Sequence, residues 1–520
     1  MLFNSYEFIF LFIPVVFASF FLIARKSHQG AIAWLGLASI FFYAYWSLYA
    51  LPIIVISIFM NYWLGFHLSN PSFKYRQPLL VWAITLNLLA LGYFKYADFF
   101  IANTNALRSL MGMESLSALN VILPIGISFF TFTQIAFLID SYQDKVKERS
   151  LLQYFLFVTF FPHLLAGPIL HHKQMMPQFS DPKTFSMDHE KIRIGIIIFT
   201  IGLAKKILLA DPIGEYADIL FNGTESGEIP HLIISWLGSL AYTFQLYFDF
   251  SGYSDMAVGI SLFFGIWLPF NFNSPFKATS IIDFWQRWHI TLTKYVGEYL
   301  YTPITLRFMR FGQNKTAVIE IIFSLVMPTV LIFLMLGLWH GANWTYIVFG
   351  AMHGFYIVIN HLWRKIFPLP SKKNKDIRSY SNGKRITSWA LTFLAVNISF
   401  VMFRADSVST AIEIYKGMLG INDIFIHTGY GYADKIYLKL LISGSMQSHP
   451  INIKILLLLI FTGLILSLYF SNTSKISIAQ NTRIKKILLE KKIGAIFIAV
   501  LFLICLLQMN HVSPFLYFQY

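Results

Sequence analysis

Charge is what this chain has least of. Of its 520 residues only 12% are Asp, Glu, Lys or Arg, about half of what a soluble domain carries. A chain this apolar cannot cover itself in water, so a soluble enzyme is excluded and lipid must be its main solvent. Cysteine is nearly absent too: the single Cys505 sits in an apolar run, which excludes a disulfide framework and a cysteine metal site. Acid is scarcer than base, with Asp+Glu 25 against Lys+Arg 40. The bases cluster between apolar segments, which fits cytoplasmic loops rather than nucleic-acid binding. No basic leader precedes the first apolar run; Arg25 and Lys26 follow it, so the start reads as a first span with its N-terminus outside rather than a cleaved signal peptide. A Walker phosphate loop, an H-E-x-x-H zinc pair and a G-x-S-x-G elbow are all missing.

What is abundant is apolar and aromatic: 56% hydrophobic residues, with 53 Phe, 27 Tyr and 12 Trp. Runs long enough to cross a bilayer lie near 7–24, 31–48, 51–67, 78–94, 121–139, 194–210, 231–248, 320–338, 343–362, 386–403, 453–470 and 493–509. Shorter stretches at 151–169 and 256–270 contain Gly and Pro, as re-entrant or broken helices do. The expected fold is therefore all-α and polytopic, with about 11–14 helices. It is expected to form one domain over 1–520, with a core at about 90–365 and C-terminal helices carrying an outer segment, 404–452.

Loop charge suggests which side each loop faces. Arg25-Lys26, Lys74-Arg76, Lys145-Lys147-Arg149 and the basic loops 363–385 and 475–492 read as cytoplasmic. The segment 211–230, with Asp211, Glu215, Asp218, Glu225 and Glu228 but no base, reads as an outer loop. From Asp283 to Tyr301 the apolar residues Trp285, Trp288, Leu292, Tyr295 and Tyr299 recur at helical spacing, and Asp283–Arg287 and Lys294–Glu298 are i,i+4 charge pairs. This predicts one amphipathic interfacial helix.

An ionisable side chain at membrane depth is a functional-site hypothesis by default. Two histidines, His289 and His340, each lie among tryptophans in W-Q-R-W-H-I and L-G-L-W-H-G-A-N-W. A neutral imidazole takes a proton from a hydroxyl near pH 7 and returns it to a leaving group. His340 is the candidate base, with Gly341 allowing close approach; His289 or Asn343 is a candidate to orient it or to bond the acyl oxygen, and Trp339 supports them. Gln245, Asp249 and Asp255 form a second polar cluster at the end of an apolar run. His163, His353 and His361 read as structural. His171-His172 has no acidic residue following it and Gly429-Tyr430-Gly431 is half a dinucleotide fingerprint, so no metal or bound cofactor is expected.

The motifs together resemble the membrane-bound O-acyltransferase family, and within it the bacterial alginate and peptidoglycan O-acetylation branch. The resemblance rests on L-P-I-G-I-S-F-F-T-F (123–132), F-F-P-H-L-L-A-G-P-I (160–169), Y-F-D-F-S-G-Y-S-D-M-A (247–257), N-F-N-S-P-F (271–276), D-F-W-Q-R-W-H-I-T-L (283–292), L-G-L-W-H-G-A-N-W (336–344) and the terminal F-L-Y-F-Q-Y, where Tyr520 replaces a common Phe. It implies a helical fold around a central funnel or tunnel, with His340 as the essential histidine and His289 in a supporting or catalytic role.

The resemblance further implies that an acetyl group passes from a cytoplasmic donor, acetyl-CoA, across the inner membrane to a periplasmic serine-dependent partner protein and then to a polysaccharide. Lys205, Lys206 and Arg287 are donor-binding candidates, with Lys173, Lys191 and Arg193 also available to CoA phosphates. D-alanyl transfer to teichoic acid and a transporter without acyl chemistry are the alternatives. An inventory of envelope esters separates the first, and flux of intact solute the second.

Overall fold

A computed structural model describes residues 1–146, 150–367, 382–426, 453–470, 472–477, 488–489, 491–509 and 513–516. Most of the basic loops 363–385 and 475–492, Gly429-Tyr430-Gly431 and Tyr520 lie outside the described residues. Within them every regular element is a helix. In chain order these are α1 (Ile13–Ala24, entered through a π turn at Phe8–Phe12), α2 (His28–Trp46), α3 (Leu51–Leu68), α4 (Arg76–Leu110), α5 (Ile127–Tyr142), α6 (Leu151–Thr159), α7 (Phe161–Leu164), α8 (His172–Ser180) and α9 (His189–Ala204). There follow α10 (Asp211–Glu225), α11 (Leu232–Phe263), α12 (Ile281–Trp285), α13 (Ile290–Val296), α14 (Thr302–Gly312), α15 (Ala317–Ile321), α16 (Met327–His340) and α17 (Trp344–Ile366). The last are α18 (Asn382–Arg404), α19 (Val408–Met418), α20 (Ile421–Ile426), α21 (Ile453–Tyr469), α22 (Ser474–Ser477) and α23 (Lys492–Gln508).

Five helical stretches among the described residues are long and apolar enough to cross a bilayer: α3, α4, Ala317–His340, α18 and the stretch beginning with α21. The chain is an all-α, multi-pass membrane protein. Three expectations fail locally. The acidic segment 211–230 is mostly helix and not a loop: α10 covers Asp211–Glu225 and follows directly on the π turn at Lys205–Ala210. The polar cluster at 245–255 does not end a helix, because α11 runs through it for 32 residues and takes in most of the stretch 256–270. The amphipathic segment 283–301 is not one helix but α12, α13 and a π turn at Gly297–Tyr301.

The chain forms two compact units. The first comprises Met1–Ala204, Gly252–Phe270 and Thr473–Tyr520. There α3, α4 and α5 are joined by an amide network: Asn87 Nδ2 donates to Asn61 Oδ1 at 2.7 Å, Asn61 Nδ2 returns a bond to Asn87 Oδ1 at 3.1 Å and also reaches Gln134. Such side chains join helices where lipid offers no partner. A Cβ on Gly195 of α9 would stand 2.6 Å from Gly259 O of α11, and one on Gly202 2.6 Å from Gly252 O. Glycine is what lets these backbones approach. The break between α6 and α7, expected of a re-entrant stretch, falls at Phe160, and His163 Nε2 closes it on Phe157 O at 2.9 Å.

The second unit comprises Lys205–Ser251 and Asn271–Asn472. Its centre is the α16–α17 hairpin. Cβ atoms on Gly337 and Gly350 would overlap Tyr346 O and Phe333 O, so the two helices meet backbone to backbone. Asn397 of α18 donates to Thr243 Oγ1 of α11 at 2.8 Å.

Candidate active site

His340 and His289 both belong to the second unit, and Trp339 touches both. His340 is the last residue of α16 and is half-buried. Its ring lies 5.0 Å from that of Trp339, 5.1 Å from Phe403 of α18 and 6.0 Å from Phe349 of α17. The buried Trp339 ring is in turn 6.3 Å from the His289 ring. The α16–α17 hairpin thus sets His340 by packing, and α18 closes over its other side.

Gly341 and Asn343 serve the turn after His340. Gly341 is extended (φ −169°), and a Cβ there would overlap the Tyr346 ring. Its small size therefore admits Tyr346 rather than a substrate. Asn343 is the N-cap of α17: Oδ1 accepts from Thr345 N at 3.1 Å and Nδ2 donates to Asp406 O at 2.7 Å. Its amide holds the hairpin turn instead of orienting an imidazole.

His289 occupies the break between α12 and α13 in a left-handed conformation, φ +43°, costly for a residue with a Cβ and a recurring feature of functional sites. It is 1% exposed and takes the edge of Phe250 at 4.9 Å between ring centres. Asn271 explains the break. Its Oδ1 accepts from Thr291 Oγ1 at 2.5 Å and from Thr291 N at 3.4 Å, anchoring the start of α13. Asn273 N meanwhile donates to Arg287 O at 3.0 Å. The same Asn271 Oδ1 lies 3.3 Å from His289 Nδ1. An oxygen that accepts from a backbone N–H offers no proton, so Nδ1 is the donor and Nε2 is the basic nitrogen of the neutral ring. Asn271 is a residue that sequence reasoning missed, although it begins the motif N-F-N-S-P-F.

The remaining candidates are scattered. Lys206, expected at a donor site, is 2% exposed and lies 2.7 Å from Asp249 Oδ1 and 2.8 Å from Asp211 Oδ1. A lysine buried between two carboxylates is an internal ion cluster and not a cation held out to CoA phosphates. Asp249 is accordingly its partner on α11. Gln245, one turn earlier, packs over Gly214 of α10. Lys205 is its half-buried neighbour in the π turn. Arg287 bonds Asp283 Oδ1 at 2.7 Å and Asn273 O at 3.3 Å, bracing the break at His289.

Asp255 belongs to the first unit, where it accepts from Thr473 Oγ1 at 2.8 Å. Lys191 there donates to Gly265 O at 2.9 Å, Arg193 donates to Leu489 O at 3.3 Å, and Lys173 is exposed. His172 Nδ1 stands 3.2 Å from Asp140 Oδ2. His353 has both nitrogens occupied in the second unit: Trp285 Nε1 donates to Nδ1 at 3.2 Å, so Nε2 carries the proton and donates to Ser399 Oγ at 2.8 Å. That is the structural role expected of it.

Comparison with known proteins agrees with the motifs. Residues 39–403 match the membrane-bound O-acyltransferase family profile. A peptidoglycan O-acetyltransferase of Helicobacter pylori is 40% identical over 458 residues, covering 82% of this chain and 81% of its own. A probable alginate O-acetylase of Pseudomonas putida is 36% identical, covering 81% of each chain. A teichoic acid D-alanyltransferase of Streptococcus thermophilus is 27% identical over 54% of this chain and 68% of its own. The chain belongs to the membrane-bound O-acyltransferase family and is a multi-pass membrane acyltransferase.

Proposed function

We propose that this acyltransferase takes an acetyl group from acetyl-CoA on the cytoplasmic side of the inner membrane and passes it outward for O-acetylation of an exported envelope polysaccharide, peptidoglycan or an alginate-like chain. The observation that carries this reading is the packing of His289 and His340 on one tryptophan, in a chain similar to two O-acetylation proteins. His340, at the end of a spanning helix and half-buried, takes the proton of an acceptor hydroxyl as its oxygen attacks the acetyl carbonyl. The C–O ester bond forms, the C–S bond breaks, and the imidazolium returns the proton to the CoA thiolate. His289, with Nε2 as its basic nitrogen, supports that step, and Trp339 holds both rings in place. A periplasmic protein with a serine nucleophile receives the acetyl group and completes transfer to the sugar. Lys205 and Arg287 remain the donor-binding candidates.

The test is His340→Ala in cells, with the variant quantified in the inner-membrane fraction and the envelope esters inventoried after mild base release. The expected result is normal accumulation with envelope acetate lost. Undiminished acetate overturns the catalytic role of His340. Loss of D-alanine instead of acetate moves the chain to D-alanyl transfer.

A further inference from the structure

A cavity of about 700 Å³ lies within the first unit, walled by α9, α11, α23 and the π turn that leads into α1. This is the size of a ligand site. Its wall is almost wholly apolar, with Ile197, Phe199, Ile260, Ile498 and Phe502 among the lining residues. One rim is different: among the described residues Arg193, Lys491 and Lys492 line it, and no described carboxylate does. All three cations are exposed, and Arg193 Nη1 is steadied on Leu489 O at 3.3 Å.

Helical direction gives the cavity a head and a tail. Arg193 sits in the first turns of α9 and Lys491 caps the start of α23, so both helices present their N-terminal, positive ends at the rim. From Lys491 to Phe502 the wall descends about 16 Å by helical rise. That is about half the hydrocarbon thickness of a bilayer, the depth of one leaflet. About 10 Å below Arg193 by the same rise, Thr200 lines the wall, and its buried Oγ1 has no hydrogen-bond partner among the described residues.

We propose that this cavity is a binding site for one anionic phospholipid of the surrounding membrane. The phosphate lies at Arg193, Lys491 and Lys492, where charge and helix ends both favour it. An ester carbonyl, one glycerol unit deeper, accepts from Thr200 Oγ1. The acyl chain fills the apolar wall to the level of Phe502. Lys491 and Lys492 lie on the basic segment 475–492 that the charge pattern places on the cytoplasmic side, so the lipid comes from that leaflet. The cavity belongs to the first unit and the histidine pair to the second, and the proposal stands whether or not the acyl donor is acetyl-CoA.

The full chain, purified in mild detergent, is given equal amounts of phosphatidylglycerol and phosphatidylcholine and read by native mass spectrometry. Wild type is expected to retain phosphatidylglycerol over phosphatidylcholine by at least about fivefold. The triple variant Arg193→Gln/Lys491→Gln/Lys492→Gln, altered only at exposed side chains, is expected to lose that preference while eluting as a single folded species. Ala499→Trp, which fills the wall from an exposed position, is expected to reduce retention of both lipids. Equal retention of the two lipids by wild type, an unchanged preference in the triple variant, or full retention in Ala499→Trp each overturns the proposal. Displacement of phosphatidylglycerol by coenzyme A overturns it too, by making the cavity a donor site.

Discussion

Lys206 Nζ stands 2.7 Å from Asp249 Oδ1, and both side chains are 2% exposed. The pair binds the π turn after α9 to the middle of α11, and Asp211 completes it at 2.8 Å. Removing one member of a buried ion pair strands its partner, at a cost of about 3–5 kcal/mol. Lys206→Met is therefore expected to lower the unfolding temperature in detergent sharply, while Lys206→Met/Asp249→Asn recovers part of the loss. A stable single variant whose only defect is a raised KM for the acyl donor would restore Lys206 to the donor site.

His353 and His340 should separate cleanly. His353 is fully buried, with Trp285 and Ser399 on its two nitrogens. His353→Ala opens a cavity and leaves polar groups unpaired, costing about 2–4 kcal/mol. It should lower the yield of folded protein, with activity per folded molecule much less affected. Half-buried His340, changed to Ala, should keep the fold and lose activity. Thermal stability and acetyl transfer measured on the same preparations distinguish the two.

Much of the architecture could be read from apolar run length alone, because lipid forces every spanning segment to satisfy its own backbone. The errors have a common cause in partners distant along the chain. Asp249 and Asp255 resemble the end of an apolar helix, yet α11 continues because Lys206 lies 43 residues back and Thr473 218 residues ahead. The periodic segment after Asp283 looks like one helix because Trp285, Trp288 and Leu292 keep their spacing. Its interruption comes from Asn271, 18 residues before His289, which no local pattern reveals. The two tryptophan-flanked histidines were legible as a pair; that Trp339 lies against both required the fold.

Asn271 fixes which nitrogen of His289 carries the proton. Asn271→Ala removes the acceptor from Nδ1–H and the anchor from Thr291, so the ring is free to turn and change tautomer. Misplacing a catalytic group by about 1 Å costs about 10²-fold in rate. The expected result for Asn271→Ala is a kcat reduced by about that factor with KM little changed. Asn271→Asp, which keeps an acceptor at the same place, should recover a large part of it. Equal damage in the two variants would mean that Asn271 only supports the chain turn.

Trp339 offers the most direct test of whether the two histidines work together. Its ring is 5.0 Å from His340 and 6.3 Å from His289, so truncation removes support from both at once. Trp339→Ala should therefore lower kcat by about 10²-fold or more even in molecules that remain folded, because both imidazoles lose their seat. Trp339→Phe keeps a flat apolar ring and should lose much less. A cycle combining His289→Ala with Trp339→Ala then reports the coupling. If tryptophan acts by holding His289, its loss matters little once His289 is gone. If the two losses multiply in full, Trp339 acts on His340 alone and the two histidines are independent.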